Sequence, residues 1–178
     1  MKEKGFLVVG IILAVILSVV IFSQINQGPD IDETSKYTIS KSELIEMLKN
    51  KGINPTWCSI SSEQYNLVSK RWILKDVSSK YDKFLKLNNL DVYIDDKNMC
   101  IAFSTNFVNV SFDYYKNKID SQSVPAIGMY WHGMHSLNIM VVLDSKFKKQ
   151  IVFYEPQLQY FVRLTEDDFY NSINIEFY

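Results

Sequence analysis

Cys100, His135 and Glu155 are the three residues whose types and order could do chemistry together. A thiol becomes a nucleophile when a base lies within hydrogen-bond reach and a third group holds that base in one tautomer. Cys100 opens the run Asn98–Tyr114, in which Cys100, Phe103, Phe107, Val110 and Tyr114 recur at helical spacing. Asp96 or Asn98 can cap this helix, which sets Cys100 in its first turn. Free N–H groups and the macrodipole favour a thiolate there. His135 opens the strand-like HSLNIMVVLD, and Glu155 closes the strand-like IVFYE. Hairpin pairing brings the start of one strand beside the end of the next, so nucleophile, base and orienter can be assembled by a helix lying on a hairpin.

Each residue also has an ordinary reading. Free cysteine is among the most buried residue types. A Cys58–Cys100 disulfide would remove the nucleophile and close a loop worth about 4 kcal/mol in the chain-entropy model. His135 can be a strand histidine satisfied by a carbonyl, and Glu155 a solvated strand end before Pro156. His132 and His135 in WHGMH suggest a metal with Glu155 as third ligand. That stretch lacks the helix and the internal Glu of H-E-x-x-H, and alternation along one strand would send the two rings to opposite faces. No metal and no cofactor are therefore expected, and neither a phosphate loop nor a nucleophile elbow is present.

The elements that must position these residues follow from periodicity. Ser40 with Glu43 forms a capping box for a helix bearing Leu44, Ile45 and Leu48 and ending at Gly52. Ser61 or Ser62 caps a second expected helix with Tyr65, Val68 and Trp72 on one face. Val77, Tyr81, Phe84 and Leu85 mark a third, ending near Asn88 and Asn89. Leu90–Ile94 reads as a short strand leading to the Cys100 helix, whose second row of Ile101, Val108, Phe112 and Tyr115 makes it apolar on most sides and hence central. Beyond it the period changes to two: Val124–Trp131, His135–Asp144, Ile151–Glu155, Tyr160–Leu164 and Ile173–Phe177 are expected strands, and Thr165–Asp168 a helical turn. Helices first and antiparallel strands afterwards indicate an α+β fold.

The chain has 178 residues, a formal charge of −1 and two cysteines. That length gives one domain after any targeting segment, and the charge balance gives no nucleic-acid footprint. Two cysteines are too few for a disulfide scaffold. Phe6–Phe22 is an apolar run of roughly 17 residues, about 25 Å as a helix, against the ~30 Å hydrocarbon core. Lys2 and Lys4 precede it and no Lys or Arg follows until Lys36, which places the N-terminus in the cytoplasm. The expected organisation is a membrane anchor at 1–24, a linker at 25–36 and an α+β domain at 37–178, single-pass and extracytoplasmic. The alternative is a secreted domain after signal cleavage.

At Asp95-Asp96-Lys97-Asn98-Met99-Cys100, His135-Ser136-Leu137-Asn138 and Tyr154-Glu155-Pro156-Gln157 the sequence resembles the papain-fold, transglutaminase-like cysteine enzymes of prokaryotes. The resemblance covers roughly Leu90–Gln157. It implies a buried Cys helix packed on an antiparallel sheet and thiol acyl transfer on an amide. Gln157 is a candidate to orient the substrate amide. Tyr93 or Gln64 is a candidate oxyanion donor beside the backbone N–H groups at the helix start. The first functional expectation is thus a membrane-anchored thiol hydrolase or acyltransferase acting on a peptide or protein amide. The second is a catalytically silent binding or scaffold domain at the cell envelope, with a protein partner and the Cys58–Cys100 bridge.

Overall fold

The computed structural model describes residues 29–54, 56, 58–90, 100–119, 124–132, 135–165, 169 and 172–178. The first described element is a helical turn, α1 (Ile31–Thr34), inside the segment expected as a linker, and Ile31 is buried. Strand β1 (Thr38–Ser40) leads into α2 (Lys41–Asn50), where Ser40 Oγ accepts the Glu43 N–H at 3.2 Å. Leu44 and Leu48 form its buried stripe, and Gly52 ends it with a φ of 87°, a left-handed conformation that costs glycine little.

The second expected helix is replaced by strands. β2 (Cys58–Ile60), β3 (Gln64–Asn66) and β4 (Val68–Ser69) occupy that stretch. Ser62 does not cap a helix: its hydroxyl donates to the Gln64 carbonyl at 2.8 Å, a local turn that competes with helix initiation. The helix starts only at α3 (Lys70–Trp72), capped by Ser69 Oγ accepting the Trp72 N–H at 3.1 Å. It passes through a π-helical turn, Ile73–Val77, into α4 (Ser78–Leu87). The second and third expected helices therefore share one helical run with a widened turn in its middle. Asn89 follows with a positive φ of 54°. The expected strand Leu90–Ile94 is absent at Leu90 and otherwise lies outside the described residues, as do the caps Asp96 and Asn98.

The cysteine helix, α5 (Cys100–Ile119), is longer than its apolar pattern. Phe103, Phe107, Val108 and Tyr115 are buried, whereas Ile101 is 40 % exposed, so its second row is only partly covered. Then come β5 (Val124–Pro125), β6 (Ile127–His132), β7 (His135–Leu143), β8 (Lys149–Glu155), β9 (Tyr160–Val162) and β10 (Ser172–Phe177). The expected turn Thr165–Asp168 lies largely outside the described residues.

The main sheet runs β2-β10-β6-β7-β8-β9, with β4 also paired to β7, and a small sheet runs β1-β3-β5. Strand β7 is buried from Ser136 to Leu143, which is why it reads as a nearly continuous apolar run. Its Ile139 and Val141 face α2, together with Tyr130, Phe153 and Phe177. Met140 and Val142 alternate to the other face, where Trp72, Tyr81, Phe107 and Tyr115 of the helical layer cover them. The central strand is thus covered on both faces, and its first residue, His135, emerges at its rim.

The expectation of a single-pass membrane protein is corrected. Among the described residues no helix is long and apolar enough to cross a membrane, and the run Phe6–Phe22 lies outside them.

Candidate functional site

The first residue of β7 and the last of β8 meet. His135 Nε2 lies 2.6 Å from Glu155 Oε2, with 44 % of the histidine side chain exposed and 7 % of the glutamate's. A carboxylate accepts, so the proton of that bond sits on Nε2. The other oxygen, Glu155 Oε1, accepts the Gln157 N–H at 3.1 Å. The buried carboxylate therefore holds the exposed ring on one side and the chain of the following turn on the other.

Strand β8 needs support to deliver Glu155 here, and the π-helical turn supplies it. Ser78 Oγ donates to the Ile73 carbonyl at 2.9 Å, across five residues, and lies 2.7 Å from Tyr154 Oη, which donates to it. Tyr81 Oη donates to the Phe103 carbonyl at 2.9 Å, tying α4 to the first turns of α5. Burial raises the Tyr81 and Tyr154 hydroxyls far above the ordinary tyrosine range, and the negative charges of Glu155 and Asp82 add to it. Both remain neutral donors. Sequence periodicity gave no sign of Ser78 or Tyr81 as supports, because it reports apolar faces and not the hydrogen bonds of single hydroxyls.

Cys100 is the first residue of α5. One turn on, Ser104 Oγ donates to the Ser136 carbonyl at 3.0 Å, and Asn138 Nδ2 donates to the Ser104 carbonyl at 3.0 Å and the Gly128 carbonyl at 3.2 Å. These bonds set the head of α5 against the start of β7. Tyr93, expected as a donor, lies outside the described residues. Gln64 is in β3, its side chain donating to Thr38 Oγ1 at 2.8 Å in the small sheet. His132 and His135 are cross-strand partners of β6 and β7 rather than members of one strand.

The Cys58–Cys100 bridge is corrected, since neither cysteine is in a disulfide. Strand β2 is separated from β7 by β10 and β6. Burial pushes the Cys58 thiol up to about 11. Its alkylation at pH 8 should run about two orders of magnitude slower in the folded than in the unfolded protein, because the thiolate is the reacting form. Equal rates in the two states would contradict this placement.

A groove of about 490 Å³ opens beside the pair, lined by Asp82, Leu85, Phe103, Gln157, Leu158 and Gln159 among others. Gln159 adopts a positive φ of 56°, and its side-chain amide donates to Asp82 Oδ1 across the groove. Leu158 is 69 % exposed at its lip. Two amides, a carboxylate, the Lys86 ammonium and Phe103 thus line one space, and Glu155 fastens its wall to His135. Of the groove's lining residues, only Gln157 was picked out by sequence as a site residue.

No family model and no curated protein matches this sequence. Among the solved structures similar to it in fold are the following two. The PSL1a–E64 complex shares 12 % identity at a TM-score of 0.59, over 79 % of this chain and 50 % of that one. The lectin of Polyporus squamosus, bound to the human-type influenza-binding epitope Neu5Acα2-6Galβ1-4GlcNAc, shares 12 % identity at a TM-score of 0.58 over 79 % and 49 %. The chain spans about half the length of the structures it matches. They are described as a lectin and as an E64 complex, with no transglutaminase or papain-like enzyme named. On that ground the papain-like, transglutaminase-like expectation is corrected to a mixed helix-and-sheet domain with a lectin among its structural neighbours. The membrane-anchored thiol hydrolase or acyltransferase falls with it.

Proposed function

We propose that this chain is a saccharide-binding domain whose ligand lies in the groove between α4, the head of α5 and the turn after β8. The carrying observation is the Glu155 carboxylate, which at once holds the exposed His135 ring at 2.6 Å and the Gln157 backbone at 3.1 Å beside that groove. A sugar presents pairs of hydroxyls and an apolar C–H face. Amides and carboxylates donate to or accept from hydroxyl pairs, and an apolar wall takes the C–H face. Gln157, Gln159 and Asp82 supply the first kind of contact, Phe103 and Leu158 the second. Holding these groups in place before the ligand arrives lowers the ordering cost of binding. The likeness to a lectin bound to a sialylated trisaccharide supports the same ligand class.

The test is calorimetric titration with that trisaccharide, with lactose and with a panel of neutral oligosaccharides. At least one should bind, and Gln157→Ala should weaken it about tenfold, the loss expected for one hydrogen bond in a desolvated site. Absence of binding across the panel, or undiminished binding by Gln157→Ala, would refute the reading.

A further inference from the structure

A second pocket, of about 460 Å³, lies at the far edge of the main sheet and is lined by Lys51, Lys70, Arg163, Phe161, Ile151 and Val152 among others. The three cations come from three separate elements: Lys51 caps the C-terminus of α2, Lys70 opens α3, and Arg163 follows β9. No acidic residue lines the pocket. Three other cations of the described residues are paired. Lys149 is held by both oxygens of Glu43 at 2.7 and 2.8 Å, Arg71 faces Asp30 at 3.6 Å, and Lys41 faces Glu63 at 3.5 Å. Among the described residues no carboxylate pairs with Lys51, Lys70 or Arg163. Lys70 Nζ is instead held over the Phe161 ring, 5.3 Å from its centroid.

The sheet leaves this place open. Strand β9 pairs with β8 only from Phe153 to Glu155, so among the described residues the Lys149–Val152 part of β8 has no strand on that side, and Ile151 and Val152 form a pocket wall. Three like charges gathered without a counterion repel one another, and an anion relieves that repulsion while accepting charge-assisted hydrogen bonds. An arginine among them adds a planar fork suited to a tetrahedral oxyanion.

The geometry points to an anion-binding site at the β8–β9 edge, in which Lys51, Lys70 and Arg163 take a sulfate or phosphate group, free or esterified to a sugar. This site is separate from the groove at Glu155 and does not rest on the saccharide reading. Failure of either leaves the other standing.

The test follows the amide and side-chain NMR signals of the full chain during titration with inorganic sulfate, glucose 6-sulfate and glucose. Shifts at Phe161, Arg163 and Lys70 are expected with the two sulfates and not with glucose. Tighter binding of glucose 6-sulfate would assign the ester as the ligand, and equal affinity would assign the free anion. Arg163→Gln and Lys70→Gln should each weaken binding about tenfold, as removal of one charge-assisted hydrogen bond does. Lys116→Gln, on the exposed end of α5, should leave it unchanged. Absence of shifts at these residues at millimolar sulfate, or equal weakening by Lys116→Gln, would overturn the proposal.

Discussion

Replacing Phe107 by alanine should cost about 3–5 kcal/mol of stability, the range for deleting a buried aromatic ring. Phe107 is fully buried in the middle of α5, with its ring 5.2 Å from that of Tyr81 and 4.8 Å from that of Tyr154. It is the place where α4, α5 and β8 touch one another through side chains, so the cavity left behind has rigid walls on three sides and collapses poorly. Urea unfolding should show a lower midpoint with an unchanged slope, because the surface exposed on unfolding stays the same. A second consequence follows from sequence adjacency. Tyr154 precedes Glu155, so a loosened Tyr154 frees the carboxylate that holds His135 and Gln157. A cost below about 1 kcal/mol would mean that α5 does not pack on the sheet as described.

Gly128→Ala should be comparably severe for a different reason. A Cβ at Gly128 would lie 2.1 Å from the Glu176 carbonyl oxygen and 3.2 Å from Phe177 Cγ. The obstructing oxygen belongs to backbone, in the stretch where Gly128 pairs with Phe177, and it cannot turn aside as a side chain would. Relief requires β10 to move away from β6, and β10 is also the strand that carries β2 through parallel pairing. We expect a loss of about 3 kcal/mol, at the upper end of overpacking costs. Hydrogen exchange reads it locally: the amides of Ile175 and Phe177 should lose protection before those of β7. Wild-type protection in β10 would contradict the close approach of the two strands.

The sequence carried more of the strands than of the helices. Strand β7 announced itself through HSLNIMVVLD because burial on both faces leaves no polar alternation to misread. The capping box at Ser40 and Glu43 fixed the start of α2 through chemistry confined to four residues. The stretch from Ser61 to Trp72 was misread as a helix. Tyr65, Val68 and Trp72 do recur at helical spacing, but β3 pairs with β1 and β5, and β4 pairs with β7. Those partners are distant in sequence, and tertiary pairing overrides local period.

At the site, the meeting of His135 with Glu155 was foreseeable from hairpin logic, since only the strand-end positions of two residues were needed. The groove was not. Asp82 and Phe103 lie on two helices far apart in sequence from Gln159, and no spacing relates them. The chemistry followed the same division: a cysteine, a histidine and an acid suggested catalysis, whereas the groove behind the binding proposal has no counterpart in sequence spacing.

The most direct measurement is the NMR shift map of the ¹⁵N-labelled chain during titration with the tightest saccharide found. The account predicts that the Gln157 and Gln159 side-chain amides, the Phe103 amide and the His135 ring move together and saturate at one dissociation constant. They should stay still in Gln157→Ala at the same ligand concentration. Shifts confined to any other surface, with those four groups unmoved at saturation, would contradict it.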